Sequence, residues 1–232
     1  MTNLTAARIV GTLFIVATVS FSVAVFLLDP VLGAPDYLNK VALGKLVVGA
    51  AILLELTNHI AVVGIAVVIY PVLRQFSERL AVGYLVARSI ESVLFAIGTL
   101  HLAALANVSR EFVTAGASSG SHFHTLGGTL LAGHDLNDAA IAFTAFSLGA
   151  LILNWALYQA KLVPRWLCGW GLASSALILG TRIMVMIGIE LSSTTVIILD
   201  APIMLQEMVF AVWLIVKGFN AEVFTEGKGI GV

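Results

Sequence analysis

Charge is what this sequence has least of. Of its 232 residues only 11% are Asp, Glu, Lys or Arg, against 59% hydrophobic, whereas water-soluble domains carry about 25% charged residues. At a mean hydropathy of +1.03 there is too little polar surface to cover a globule in water, which excludes a soluble fold. A basic block is missing as well, with 12 Lys and Arg against 13 Asp and Glu and a net charge of -1. Nucleic acid is thereby excluded as a partner, because phosphate binding takes clustered Lys and Arg. The single cysteine, Cys168, permits neither an intramolecular disulfide nor a thiolate metal site, so the redox compartment stays open. Also absent are a phosphate-cradling glycine loop, a serine elbow and a metalloprotease helix motif, and no cofactor is implied.

What is present is a series of long apolar runs, near 7–28, 46–73, 81–106, 137–160, 166–189 and 202–219. Crossing a hydrocarbon core about 30 Å thick takes roughly 20 residues at 1.5 Å each. Helices are the only choice, since a strand barrel shows short alternating segments and lipid leaves no partner for an unpaired backbone group. The expectation is an all-α polytopic membrane bundle of six transmembrane helices in a lipid bilayer, one domain over 1–220 with a cytoplasmic tail at 221–232. The first run is longer than the roughly 7–15 residues of a secretory core, and its nearest small-residue site runs straight into Pro35, so it reads as a retained span. Pro71, just before Arg74, and Pro164, just ahead of Arg165, read as helix ends. The connection 108–136, rich in Gly, Ser and Thr, has a weakly apolar stretch at Leu126–Leu131 long enough for a short interfacial helix, with His122 and His124 in solvent.

Alternate connections put Arg8, Arg74, Arg79, Lys161, Arg165, Lys217 and Lys228 on one side and Lys40, Lys45 and Arg110 on the other. The positive-inside rule then places both termini in the cytoplasm. Asp29, Asp36, Glu111, Glu190 and Asp200 fall on the outer side, and Trp166, Trp170 and Tyr70 near the cytoplasmic interface that amphipathic rings prefer.

An ionisable residue deep in a span costs roughly 2.5 to 3.5 kcal/mol on insertion scales, so each needs a partner, a cavity or a task. The second span carries Glu55 and His59 four apart on one helical face with Asn58 beside them, and the third carries Arg88 and Glu91 three apart. Arg182 lies in the fifth, Gln206 and Glu207 in the sixth. Counting rise from the expected ends groups His59, Arg88 and Glu91 in a cytoplasmic-side layer, and Glu55, Arg182 and Glu207 in an outer one. With Glu55, Glu91 and Glu207 ionised against Arg88 and Arg182, one negative charge remains, which a proton on His59 or on a Glu cancels. Such a set either fixes helix association, through interhelical hydrogen bonds worth about 0.6 kcal/mol each, or lines a pathway for protons or a small polar ligand. Glu91 and Glu207 are the candidates for exchanging a proton.

A second grouping points to metal chemistry. Glu55, His59, His101, His134, Asp135 and Asp138 are nitrogen and oxygen donors of the kind zinc takes. His134 and Asp138 are four apart at the start of the fourth span and His101 ends the third on the same side, a candidate metal triad for an intramembrane hydrolase. Asp135 equally serves the helix dipole, and a His or Asp at a helix start is a common cap. Gly149, Gly169, Gly171, Ala173 and Gly180 in the fourth and fifth spans read as close-packing positions.

Three stretches carry a family resemblance: Arg88-Ser-Ile-Glu91, Val163-Pro-Arg-Trp-Leu167, and Glu207 followed by Trp213-Leu-Ile-Val-Lys-Gly-Phe219. In these the chain resembles the bacterial membrane proteins grouped as DUF4386, a domain of unknown function, over nearly its whole length. The resemblance implies a multi-span plasma-membrane protein and carries no activity. Three functions follow as expectations: a buried polar pocket that binds or conducts a small polar ligand or protons, an intramembrane metal-dependent hydrolase, and a non-catalytic partner subunit held by buried ion pairs.

Overall fold

The computed structural model of the chain describes residues 2–116, 122–189 and 191–226, with side chains at all of these except 136–139, 193, 225 and 226. Glu190, Lys228 and the rest of the 227–232 tail lie outside the described residues. Within them all regular structure is helical: α1 (Asn3–Leu32), α2 (Tyr37–Leu43), α3 (Lys45–Arg74), α4 (Glu78–Thr114), α5 (His122–Leu136), a π-helical stretch (Asn137–Ala142), α6 (Phe143–Ala160), α7 (Arg165–Met186), α8 (Ser193–Val216) and α9 (Glu222–Glu226). Six helical segments are long and apolar enough to cross a membrane, α5 to α6 counting as one continuous run from His122 to Ala160. The shortest, with 22 residues, reaches about 33 Å at 1.5 Å per residue, enough for the hydrocarbon core. Their outward faces are apolar, with Leu46 82%, Phe26 78%, Ile60 74% and Leu100 68% exposed. Exposure to water would forfeit about 1.5–3 kcal/mol per such side chain, so lipid is the solvent these faces suit.

Helix ends differ from the sequence reading where polar groups find partners. The sixth span begins at Ser193, well before the expected 202, because Ser192 caps it by accepting from the Thr195 amide at 3.2 Å and because the Asp200 carboxylate inside it pairs with Arg182. Pro71 lies inside α3, and the Gln75 side-chain amide donates to the Pro71 carbonyl at 3.0 Å, satisfying one of the acceptors a helix end leaves over. α4 runs on to Thr114, with Arg110 donating to Asn107 at 2.9 Å. The 108–136 connection is itself mostly helix, and α5 leads straight into the fourth span.

The chain divides into two compact units, to both of which α1, α3 and α4 contribute residues. The unit of Val16–Ile60 and Ser92–Ala142 is built on a core of Ala24, Leu28, Leu38, Val41, Val48, Leu102, Leu105 and Phe112, all buried. The short helix α2 packs there, and Gly127 makes the approach possible, since a Cβ on it would fall 2.8 Å from Leu38 Cδ2. His124 is half-buried, its ring 5.6 Å from Phe112 and 6.0 Å from Tyr37. That corrects the solvated placement expected for His124: as part of α5 it turns toward the apolar core. The other unit holds Met1–Ile15, Ala61–Glu91 and Phe143–Val232. In it α7 packs on both α6 and α8, Phe14 meets Phe210 edge-on at 5.3 Å, and Gly11 lies so close to α8 that a Cβ would meet the Ala211 carbonyl at 2.6 Å.

Candidate functional site

In the unit containing α6 to α8, the third-span motif places Arg88 and Glu91 one turn apart, and the Arg88 guanidinium donates from Nη1 to Glu91 Oε2 at 2.8 Å. Both are buried, at 3% and 2% exposure. Arg88 reaches this position because Gly149 of α6 leaves room for its stem, Cδ lying 3.2 Å from where a Cβ would stand. The guanidinium is 5.5 Å from the Phe146 ring and 5.9 Å from that of Tyr84, within cation–π range. Arg88, Tyr84, Asn154, Gln206 and Glu207 line one small cavity. Glu207 is close enough to Arg88 and Glu91 for the three charges to act on one another. The space open to a water centre there is about 10 Å³, close to the minimum of roughly 10–15 Å³ that one water needs. Two polar atoms at this place, Tyr84 Oη and Arg88 Nε, are buried with no hydrogen-bond partner among the described residues.

Beside the cavity an amide pair joins three helices. Asn154 donates to the Ala150 carbonyl at 2.9 Å and accepts from Gln206 Nε2 at 3.3 Å, and Gln206 also donates to the Leu167 carbonyl at 3.4 Å. Gly171 of α7 admits the Asn154 amide: a Cβ there would fall 2.1 Å from Oδ1. The same unit holds a second ion pair, Arg182 Nη2 donating to Asp200 Oδ2, with the Arg182 guanidinium 4.7 Å from the Phe143 ring. Arg182 is thus matched by Asp200, which the sequence reading left in the outer connection. Glu207, grouped there with Arg182, lies instead with Arg88 and Glu91, because α8 starts nine residues earlier than the apolar window and every depth counted from its end shifts.

The remaining candidates fall in the other unit. Glu55 and His59 are buried on α3 and Asn58 between them donates to the Ala17 carbonyl at 3.0 Å. His59 Nε2 meets Thr99 Oγ1 at 2.9 Å, and that hydroxyl also lies 3.3 Å from the Phe95 carbonyl. The hydroxyl thus bridges the imidazole and the α4 backbone, and His59 Nδ1 is buried without a hydrogen-bond partner among the described residues. Glu55 Oε1 is 3.9 Å from His134 Nε2, while His134 Nδ1 is 3.2 Å from Asp135 Oδ1. His101 Nδ1 lies 3.0 Å from the Ile97 carbonyl, and its ring packs over Gly133, 3.1 Å from the Cβ position there. The Asp138 side chain lies outside the described residues. Among those described, no three His, Cys, Asp or Glu side chains gather as metal ligands.

Six apolar helical segments, with charges paired in their interior, define the class: a multi-pass helical membrane protein. The chain belongs to the DUF4386 family, described as a domain of unknown function, whose model matches residues 9–218. No curated protein and no solved structure matches it.

Proposed function

We propose that this protein is a bacterial plasma-membrane protein, with both termini in the cytoplasm, that carries an exchangeable proton at Arg88, Glu91 and Glu207. The observation behind this reading is the buried Arg88 and Glu91 ion pair with the half-buried Glu207 carboxylate near enough to act on both, so that two carboxylates stand beside one guanidinium at a cavity a single water fits. The cavity, about 10 Å³, suits a water or a proton and is too small for a larger solute, so proton carriage is preferred over binding of a small polar ligand. Glu55 and His59, each with a buried atom lacking a hydrogen-bond partner among the described residues, are the second place where a proton or a water fits. Arg182 is structural in this reading, since Asp200 already offsets it.

The hydrolase reading at His101, His134 and Asp138 has less in its favour, because among the described residues no three His, Cys, Asp or Glu side chains gather as metal ligands. The partner-subunit reading draws on the hydrogen-bonded Asn154 and Gln206 pair, which ties helices together without forming a cavity of its own. Proton flux separates these readings. Purified protein in liposomes holding a trapped pH dye, driven by a potassium diffusion potential, is expected to acidify faster than empty liposomes. Glu91→Gln and Glu207→Gln should each remove the excess rate while the variants remain monodisperse in detergent. Wild-type liposomes no faster than empty ones would overturn the proposal.

A further inference from the structure

The turn between α6 and α7 and the end of α8 enclose a cleft of about 550 Å³ lined by Lys161, Arg165, Lys217, Trp213, Pro164 and Asn220, among others. Three cations line it, no carboxylate does, and among the described residues none of the three has an acidic partner within 4.0 Å. We propose that this cleft is a binding site for the phosphate headgroup of an anionic membrane lipid.

The backbone around the cleft is arranged to hold its cations. Lys161 has φ 51, the left-handed region that residues other than Gly seldom adopt, and it is kept there from the other wall: Asn220 donates its backbone amide to the Leu162 carbonyl at 2.8 Å and its side-chain amide to the Lys161 carbonyl at 3.5 Å. Gly218, at φ 74, turns the chain at the end of α8, its amide donating to the Leu214 carbonyl at 3.1 Å, so that Lys217 and Asn220 both face the cleft. The Arg165 guanidinium is steadied 5.2 Å from the Tyr158 ring. Two of the stretches that carry the family resemblance, around Val163 to Leu167 and Trp213 to Phe219, form these two walls.

A phosphate is the group that three clustered cations select, and its source is decided by where the cleft lies. It sits at the ends of three membrane helices, where headgroups lie, and next to it are exposed indoles: Trp166 is 57% exposed, and Trp155, 45% exposed, stacks on Tyr158. Such rings belong at the headgroup level. Trp213, Leu162, Val163 and Phe219 add apolar lining suited to the glycerol and upper acyl chain, which a free phosphate lacks. Basic pockets between membrane helices are known to take anionic headgroups.

The test uses full-length protein in nanodiscs of phosphatidylcholine doped with phosphatidylglycerol, with the lipid retained after extraction counted by native mass spectrometry. Wild type should retain phosphatidylglycerol over phosphatidylcholine. Lys161→Gln, Arg165→Gln and Lys217→Gln should each weaken retention about fivefold, from about 1 kcal/mol per cation near a membrane surface, whereas Arg110→Gln on α4 should leave it unchanged. The charge-keeping variants Arg165→Lys and Lys217→Arg should also retain it, which separates lost charge from lost folding. Equal retention of the two lipids by wild type, or loss in the charge-keeping variants as large as in the Gln variants, would overturn the site. Displacement of phosphatidylglycerol by millimolar inorganic phosphate would overturn the lipid as its source.

Discussion

Arg182 and Asp200 offer the cleanest quantitative test of how buried charge is accommodated. Arg182 is 1% exposed, its side chain is bonded to an Asp200 carboxylate whose side chain is 17% exposed, and the Arg182 Nε and Asp200 Oδ1 atoms are buried without further hydrogen-bond partners among the described residues. Asp200→Leu leaves the guanidinium, among the described residues, with the Phe143 ring 4.7 Å away, and a cation–π contact of about 0.5–2 kcal/mol does not replace a carboxylate. Breaking one side of such a pair costs about 3–5 kcal/mol. Arg182→Met strands the carboxylate, and because Asp200 keeps some access to polar surroundings its cost should fall at the low end of the same range. The double variant Arg182→Met with Asp200→Leu removes both charges and should lie within about 1 kcal/mol of wild type, or above it, since apolar replacement of a buried pair is often neutral or stabilising. Reversible unfolding in mixed micelles by increasing dodecyl sulfate, followed by circular dichroism, gives all four stabilities. Single-variant costs that simply add in the double variant, a coupling below about 0.5 kcal/mol, would refute the pairing.

Three further outcomes can be measured, two from the geometry and one from the charge count. Gly171→Ala should destabilise by about 2–4 kcal/mol in that unfolding assay, combining overpacking with the loss of the Asn154 hydrogen bonds, because its Cβ would meet Asn154 Oδ1 at 2.1 Å; Gly169→Ala, with nothing within 4 Å of its Cβ, should stay within about 0.5 kcal/mol. Thr99→Val removes the hydrogen-bond partner of His59 Nε2 and should cost about 1–3 kcal/mol, the penalty for a buried polar group left unpaired, while Thr99→Ser should restore most of it; equal effects of the two would refute the hydrogen bond. Cytoplasmic termini require that a green fluorescent protein fused after Val232 be fluorescent and an alkaline phosphatase fused there be inactive; the reverse would invert the orientation drawn from the Lys and Arg count.

The all-helical class and the six spans were legible in the sequence because they rest on composition and run length, and lipid leaves few alternatives for a chain this apolar. The Arg88 and Glu91 pair was legible for a similar reason: three residues on one helix fix their own geometry. Pairings between helices were not. Asp200 sits seven residues before Glu207, two turns along one helical side, and that spacing was a signal for Asp200 as a buried group; its charge instead set the expected edge of the span, and the partner that lets it enter the membrane lies on another helix. Asn154 and Tyr84 carry no charge, and the buried groups that stand out in the sequence are chiefly the charged ones. Of the glycines read as packing positions, Gly149 and Gly171 admit Arg88 and Asn154, whereas Gly169 and Gly180 face open space. Only the neighbouring helix decides between those roles.

The proposed exchangeable proton at Arg88, Glu91 and Glu207 is open to direct measurement. Infrared difference spectra of the protein in nanodiscs across a pH step should show a protonated-carboxyl carbonyl band exchanging for carboxylate bands, and that band should vanish in the Glu91→Gln, Glu207→Gln double variant. A spectrum with no such band, or one the double variant leaves intact, would contradict the account.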